Sequence, residues 1–229
     1  MERNSRPVKK PRPYNATRRQ EQARQTREAI LDAARRRFLD DGYSATTIAA
    51  IAGEARVSVD TIYKTFGGKP GLVRAIHEKG LAGQGAVHAE VRSDALQTTE
   101  ADPHQVMRGI GRLASEVAPR VAPIMLLIRD AAVTDADMAA LKAELDDQRL
   151  ARMTHNARNL ARAGHLRPGL SIDDAGEIMW AYSSPELYEL LVIGRGWRNE
   201  RYGAFTTAAL TAALLPPRTP RQRTTKQPR

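Results

Sequence analysis

Apolar residues recur along this chain at spacings of three and four and nowhere alternate for long, so the pattern predicts helices throughout and no sheet. Ile30, Leu31, Ala34 and Phe38 mark one face of a helix over about 26–40, which Asp41-Gly42-Tyr43 ends. Ile48, Ile51 and Ala52 mark a helix of about two turns that Thr47 can cap, and Ile62 and Phe66 mark a second that Ser58 can cap. Ala55-Arg56-Val57-Ser58 breaks the pattern between them. From Pro70 to about Val91 helical spacing continues, diluted by Gly80, Gly83 and Gly85, whereas Ser93 to Asp102 lacks periodicity and is expected to be a loop. Val106, Met107, Ile110 and Leu113 predict a helix over 103–117, and Val121, Ile124, Met125, Leu127 and Ile128 a separate one over 119–133. The longest run, 134–163, has Met138, Leu141, Leu145, Leu150, Met153, Ala157 and Leu160 inside and Gly164 at its end. Ser171 caps the next helix, Ser184-Pro185 interrupts or kinks it, and a last alanine-rich helix spans about 199–215.

The two short helices make a helix-turn-helix over 47–66. The outward face of the second presents Val59, Asp60, Thr61, Tyr63, Lys64 and Thr65, a mostly polar set suited to phosphates and base edges in a major groove. Lys69, with Pro70 after it, stands at the start of a third helix, where free amides and an ammonium would meet a phosphate. The alternative for Lys69 is a solvated surface lysine.

Ile30-Leu31-Asp32-Ala33-Ala34 with Phe38, then Gly42-Tyr43, Thr46-Thr47, Ile51-Ala52, Val57-Ser58, Thr61-Ile62-Tyr63, Phe66, Lys69 and Leu72 follow one another at a consistent spacing. This compound pattern resembles the N-terminal domain of TetR-family transcriptional regulators. The resemblance implies that Thr47, Ser58, Thr61, Tyr63, Lys64 and Lys69 face DNA, with Tyr63 and Lys69 on backbone phosphates, and that Ile51, Ile62 and Phe66 are core. Four positions depart from the family pattern. Arg56 stands where glycine is usual and a positive φ is needed, so local strain or a shifted turn is expected. Asp60 replaces another frequent glycine; it suits the helix dipole and repels phosphate, or else accepts from a cytosine amino group as a base reader. Gly68 and Pro70 replace commoner polar and acidic residues at the cap.

The chain of 229 residues is 41% hydrophobic and carries a formal net charge of +10, enough for two small helical domains. Residues 1–27 hold nine Lys or Arg and two acids (+7), and 216–229 hold five and none (+5), leaving 28–215 near neutral. The expected organisation is a disordered basic arm over 1–23, the helix-turn-helix domain over 24–84, a larger helical domain over 85–215 and a disordered basic tail over 216–229. The arm either adds phosphate or minor-groove contacts or merely solubilises. Arg35-Arg36-Arg37 points in several directions and is expected to be a solvated edge. No cysteine is present, which excludes disulfides and thiolate sites. No leader-like or membrane-length apolar run occurs, so a cytoplasmic protein without membrane contact is expected.

The last two helices are too apolar and alanine-rich for one small domain to cover, which suggests a helical homodimer interface rather than a monomer core; the resemblance implies a four-helix bundle. It also implies that the fourth helix moves when ligand binds, a motion that its glycines would ease. A candidate pocket for a partly apolar small-molecule effector lies between the helices of 103–182, lined by Met107, Ile110, Met125, Ile128, Met153, Met179 and Trp180. These same residues suit plain core. His104, Arg129, His155, Asn156 and Tyr182 are candidate polar anchors. The five histidines make no zinc motif, no phosphate-binding loop occurs, and Ser183-Ser184 lacks a nucleophile signature, so neither catalysis nor a cofactor is expected. The expected function is a regulator, a repressor by family expectation, that binds a palindromic double-stranded operator as a homodimer and is released by a small molecule. The competing expectation is a basic architectural protein that coats DNA without an operator.

Overall fold

In the computed structural model, residues 14–83 and 87–217 are described. All their regular structure is helical: α1 (Tyr14–Asp41), α2 (Ile48–Ala55), α3 (Val59–Phe66), α4 (Lys69–Ala82), α5 (Ala89–Thr99), α6 (Pro103–Ala131), α7 (Ala136–Arg162), α8 (Ile172–Tyr182), α9 (Pro185–Tyr188), a π-helical turn (Glu189–Ile193) and α10 (Asn199–Leu214). The chain divides into two compact units, 1–72 and 73–229. The division falls inside α4, earlier than the expected boundary at 84. Residues 73–83 pack with the second unit: a Cβ on Gly80 would lie 3.0 Å from Val121, and Arg74 forms an ion pair with Glu144.

In the N-terminal unit Ile30, Leu31, Ala33, Ala34 and Phe38 of α1 are buried with Ile48, Ile51 and Ala52 of α2, Ile62 of α3 and Leu72 of α4. The arm expected to be disordered over 1–23 is helical from Tyr14. Its exposed turns lack an apolar stripe and are laced instead by Arg24 with Glu21 and Glu28, at i−3 and i+4. The remainder of the arm, 1–13, and most of the basic tail, 218–229, lie outside the described residues.

Two further expectations give way to tertiary contacts. Ser93 to Asp102, expected to be a loop, lies mostly in α5. That helix has little apolar periodicity, only Ala89 buried and Leu96 packed on Gly109 of α6, and polar ties add to them: Arg92 grips Glu116 of α6 at 2.7 and 2.8 Å, Asp94 pairs with Arg152 of α7 at 2.6 Å, and Gln97 donates to Asn156 at 3.0 Å. Conversely, the two helices expected over 103–117 and 119–133 are one helix, α6, with Pro119 and Pro123 inside it. Each proline removes an amide donor and costs on the order of 3 kcal/mol in a helix interior. Here the buried run Ala122, Ile124, Met125, Leu126 and Ile128 keeps the helix going. Of the interruption or kink expected at Ser184-Pro185, the structure has the interruption: Ser184 caps α9, accepting from the Leu187 amide at 3.2 Å, and the π turn follows.

The core of the second unit joins Val106 and Met107 of α6, Ala157 and Leu160 of α7, Ala175 and Met179 of α8, and Leu210 and Leu214 of α10. Helices α6 and α10 cross in close approach where glycine meets glycine. A Cβ on Gly203 would lie 2.5 Å from the Gly111 carbonyl oxygen, and one on Gly111 would lie 2.4 Å from that of Gly203. Gly203→Ala is therefore expected to destabilise the second unit by about 1–3 kcal/mol. Gly111→Ala should add less than its own cost on top, since one separation of the helices relieves both clashes. Urea unfolding of the single and double variants checks this.

Candidate functional site

Short-range caps fix the geometry of α2 and α3. The Thr46 hydroxyl donates to the carbonyls of Arg37 and Gly42 at 3.0 and 2.7 Å, tying the chain back to the end of α1. Thr47 then caps α2, its hydroxyl accepting from the Ala50 amide at 3.1 Å. Helix α2 ends at Arg56, the single non-glycine residue with positive φ among those described (φ 55°, ψ 45°). The Val57 amide turns back to Ala52 at 3.0 Å, closing the turn. Ser58 caps α3 by accepting from the Thr61 amide at 3.1 Å, and its hydroxyl shares a 2.8 Å hydrogen bond with that of Thr61. The glycine position is thus filled by an arginine held in the left-handed region, which costs on the order of 1 kcal/mol or more. Arg56→Gly is expected to raise the midpoint of urea unfolding of this unit by less than about 1 kcal/mol in stability, because glycine's extra freedom in the unfolded chain offsets part of the relief.

Helix α3 buries only Ile62 and turns Val59, Asp60, Tyr63, Lys64 and Thr65 to solvent; Val59 is 40% and Tyr63 53% exposed. An apolar side chain and a tyrosine exposed at this level on a two-turn helix leave much of their surface available to a partner. Phe66 is half-buried, with the Arg27 guanidinium 4.7 Å from its ring centroid. Asp60 and Lys64 pair at 2.6 Å, both largely exposed, an i,i+4 contact weak enough to yield to a stronger partner. The Lys69 side chain is bent onto Tyr43: its ammonium donates to the Tyr43 carbonyl and lies 4.1 Å from the ring centroid. A phosphate at this helix start would compete with Tyr43 for it. Arg36 and Arg37 grip Glu54 of α2 at 2.8 and 2.7 Å, so two of the three arginines expected to form a solvated edge clasp α1 to α2 instead.

The second unit holds a partly open cavity of about 230 Å³. Its apolar wall comes from α6 (Ile110, Val117, Val121, Met125), α7 (Leu145, Met153) and Met179 of α8. Polar groups reach it at Asn156, Arg152 and Arg149 of α7 and at His77 of α4. His77 is buried, and its Nδ1 has no hydrogen-bond partner. Burial first, and then the charge of Arg74, pull its pKa down to about 4, so the ring is neutral near pH 7.

Residues 30–76 match the family model described as bacterial regulatory proteins, tetR family. The match covers the helix-turn-helix and the helices on either side of it, so this segment is similar to the DNA-binding domain of that family. A curated HTH-type transcriptional regulator of Bacillus subtilis (strain 168), YvkB, is 35% identical over 111 residues, which are 48% of this chain and 54% of that protein. The chain thus aligns with about half the length of this relative. Among solved structures, the SmeT–triclosan complex is similar with a TM-score of 0.64 at 24% identity, over 83% of this chain and 92% of that one. The fatty acid degradation regulator FadR from Bacillus halodurans is similar with a TM-score of 0.65 at 16% identity, over 81% of this chain and 94% of its own. At these identities the likeness is one of fold, and it spans residues of both units.

Against that architecture, the residues expected at the DNA face fall into two sets. Val59, Asp60, Tyr63 and Lys64 are exposed on α3, whereas the hydroxyls of Thr47 and Ser58 are spent on caps and Thr61 is bonded to Ser58. Of the seven expected pocket residues, Ile110, Met125, Met153 and Met179 line the cavity. Met107 and Ile128 are fully buried in core instead, and Trp180 lies behind the wall, its ring centroid 4.3 Å from the Arg149 guanidinium. Asn156 and Tyr182 reach the cavity among the expected anchors; His104, Arg129 and His155 do not. Arg129 pairs with Glu189 at 2.7 Å, and His155 with Asp94 at 3.2 Å. His77 and Arg149 were missed. A charged or polar residue within a long helix has no sequence signal that distinguishes a cavity wall from a solvated face.

Proposed function

We propose that this chain is a sequence-specific transcriptional regulator that binds a palindromic double-stranded operator as a homodimer, represses there, and is released by a small organic effector. The observation that carries the reading is the doubly capped α2-turn-α3 unit, with a polar α3 face left exposed. Such a helix can enter a major groove, with Tyr63 and Lys64 toward phosphates and Asp60 or Val59 toward base edges. Thr47 caps α2, and Ser58 and Thr61 fix the start of α3 through their hydrogen bonds, where its amides come within reach of a phosphate.

One such helix reads one half-site, so a palindrome requires two protomers. Support for a dimer comes from the C-terminal end, where Leu190 and Ile193 of the π turn are 62% and 58% exposed. Support for an effector comes from the cavity and its largely apolar wall. Because His77 in that wall belongs to α4, the helix that begins at Lys69 in the first unit, occupancy of the cavity would bias α4 and so the fit to DNA.

Selection of the purified protein against random duplexes tests this reading. The expected product is a two-fold symmetric sequence whose affinity drops when either half-site is scrambled. Recovery of an asymmetric site contradicts the palindrome, and no enrichment contradicts sequence reading altogether and favours a sequence-indifferent coat on DNA.

A further inference from the structure

Arg149 carries the least compensated charge on the cavity wall. Its side chain is 17% exposed. Nη1 donates to the Trp180 carbonyl and to Ser183 Oγ at 3.3 Å, neutral groups both, and the guanidinium stacks on the Trp180 ring. Its one ion pair among the described residues is with Asp146, at 3.4 Å, and Asp146 already holds Lys142 at 2.7 Å with its other oxygen; the Glu186 carboxylate acts on it only from beyond ion-pair distance. Arg149 and Lys142 therefore share the one carboxylate in direct contact, and Nε is buried without a partner. The neighbouring Arg152 differs. Asp94 matches its charge at 2.6 and 3.1 Å, and the Glu90 carbonyl and Asn156 take its other bonds. Glu90, the one acid among the lining residues, is exposed. A buried, half-compensated guanidinium beside an apolar void calls for an anion. A neutral ligand would leave that charge as it stands, and a cation would be repelled.

We propose that the cavity takes an amphipathic organic anion, its acid group paired with Arg149 and its hydrocarbon body against Ile110, Met125, Met153 and Met179. This rests on the reading of the cavity as the effector site and narrows it to a chemical class. The neutral His77 ring, with its open Nδ1, supplies a second polar contact for a hydroxyl or carbonyl on the ligand body.

The test is calorimetric titration of the full chain with three probes that share one skeleton: 4-butylbenzoate, 4-butylbenzyl alcohol and 4-butylbenzylammonium. The acid is expected to bind at least about tenfold more tightly than the alcohol, and the ammonium least. Arg149→Gln should abolish the preference for acid over alcohol while leaving alcohol binding within about twofold. Attraction to the basic tails is common to both proteins and cancels in that comparison. Equal binding of acid and alcohol by the wild type overturns the proposal without any variant, as does binding of none of the three. Acid binding through Arg149 that leaves DNA affinity unchanged sustains the anion site and sinks the effector reading instead, so the two failures are distinct.

Discussion

Replacing Gly71 with alanine is expected to unfold the helix-turn-helix unit or shift α4 away from α3, and to reduce DNA affinity by at least about 100-fold, while the second unit stays intact. A Cβ at this position would lie 1.7 Å from the carbonyl oxygen of Phe66 and 2.9 Å from its carbonyl carbon. Both atoms are backbone, so no rotamer change relieves the clash; the last turn of α3 or the first of α4 must move. Overpacking against side chains costs about 1–3 kcal/mol, and a clash with backbone at this distance should exceed that. Because α3 carries the exposed face that meets DNA in our reading, its displacement appears in affinity even if the unit stays folded; 100-fold corresponds to about 2.7 kcal/mol. The measurement uses the placement of the two tryptophans, Trp180 and Trp197, both in the second unit. Melting followed by tryptophan fluorescence should match wild type, whereas far-ultraviolet circular dichroism should lose a first, lower transition. Gly53→Ala is the control, since a Cβ there meets nothing within 4 Å. It should stabilise α2 slightly, as alanine does in an exposed helix.

The second large effect concerns pH. Burial, aided by the Arg74 charge, lowers the pKa of His77 to about 4, against an ordinary value of 6.5. The folded chain therefore binds this proton less readily than the unfolded chain. The stability attached to a neutral His77 is complete above pH 6.5 and is lost as pH falls from 6.5 toward 4. At about 1.4 kcal/mol per pH unit the window holds about 3 kcal/mol. Other groups titrate there too, so the comparison is with His77→Leu, which removes the imidazole and keeps an apolar filling. Between pH 7 and pH 4 the wild type should lose about 3 kcal/mol more than the variant, measured by urea unfolding on the tryptophan signal. Parallel pH profiles would contradict the burial of an unpaired imidazole at the cavity.

Much of this was legible in the chain because it rests on local chemistry. Thr47, Ser58 and Ser171 each cap the helix that follows, and Arg56 takes the left-handed conformation that its place in the turn requires. Helix α5 was illegible because much of what ties it down is Arg92, Asp94 and Gln97 reaching other helices, and polar ties leave no periodic trace. Helix α6 was misread because Pro119 and Pro123 are local breakers that long-range packing overrides. At the cavity, Met125, Met153 and Met179 could be placed by spacing. Met107 and Ile128 could not be told apart from them, since a wall residue and a core residue share one apolar stripe. Arg149 and His77, which give the cavity its chemical character, are visible only in three dimensions.

The central claim is that α3 reads sequence, and binding to DNA from the chain's own upstream region against scrambled DNA across a salt series tests it most directly. The account predicts a specificity ratio of about 10³ or more near physiological salt for the wild type. Substitution of Asp60 or Val59 by alanine should lower that ratio, and Lys64→Ala should weaken both DNAs alike and reduce the salt slope by about one. A ratio near one at every salt concentration, with affinity set by ionic strength alone and unchanged by the α3 substitutions, would contradict it.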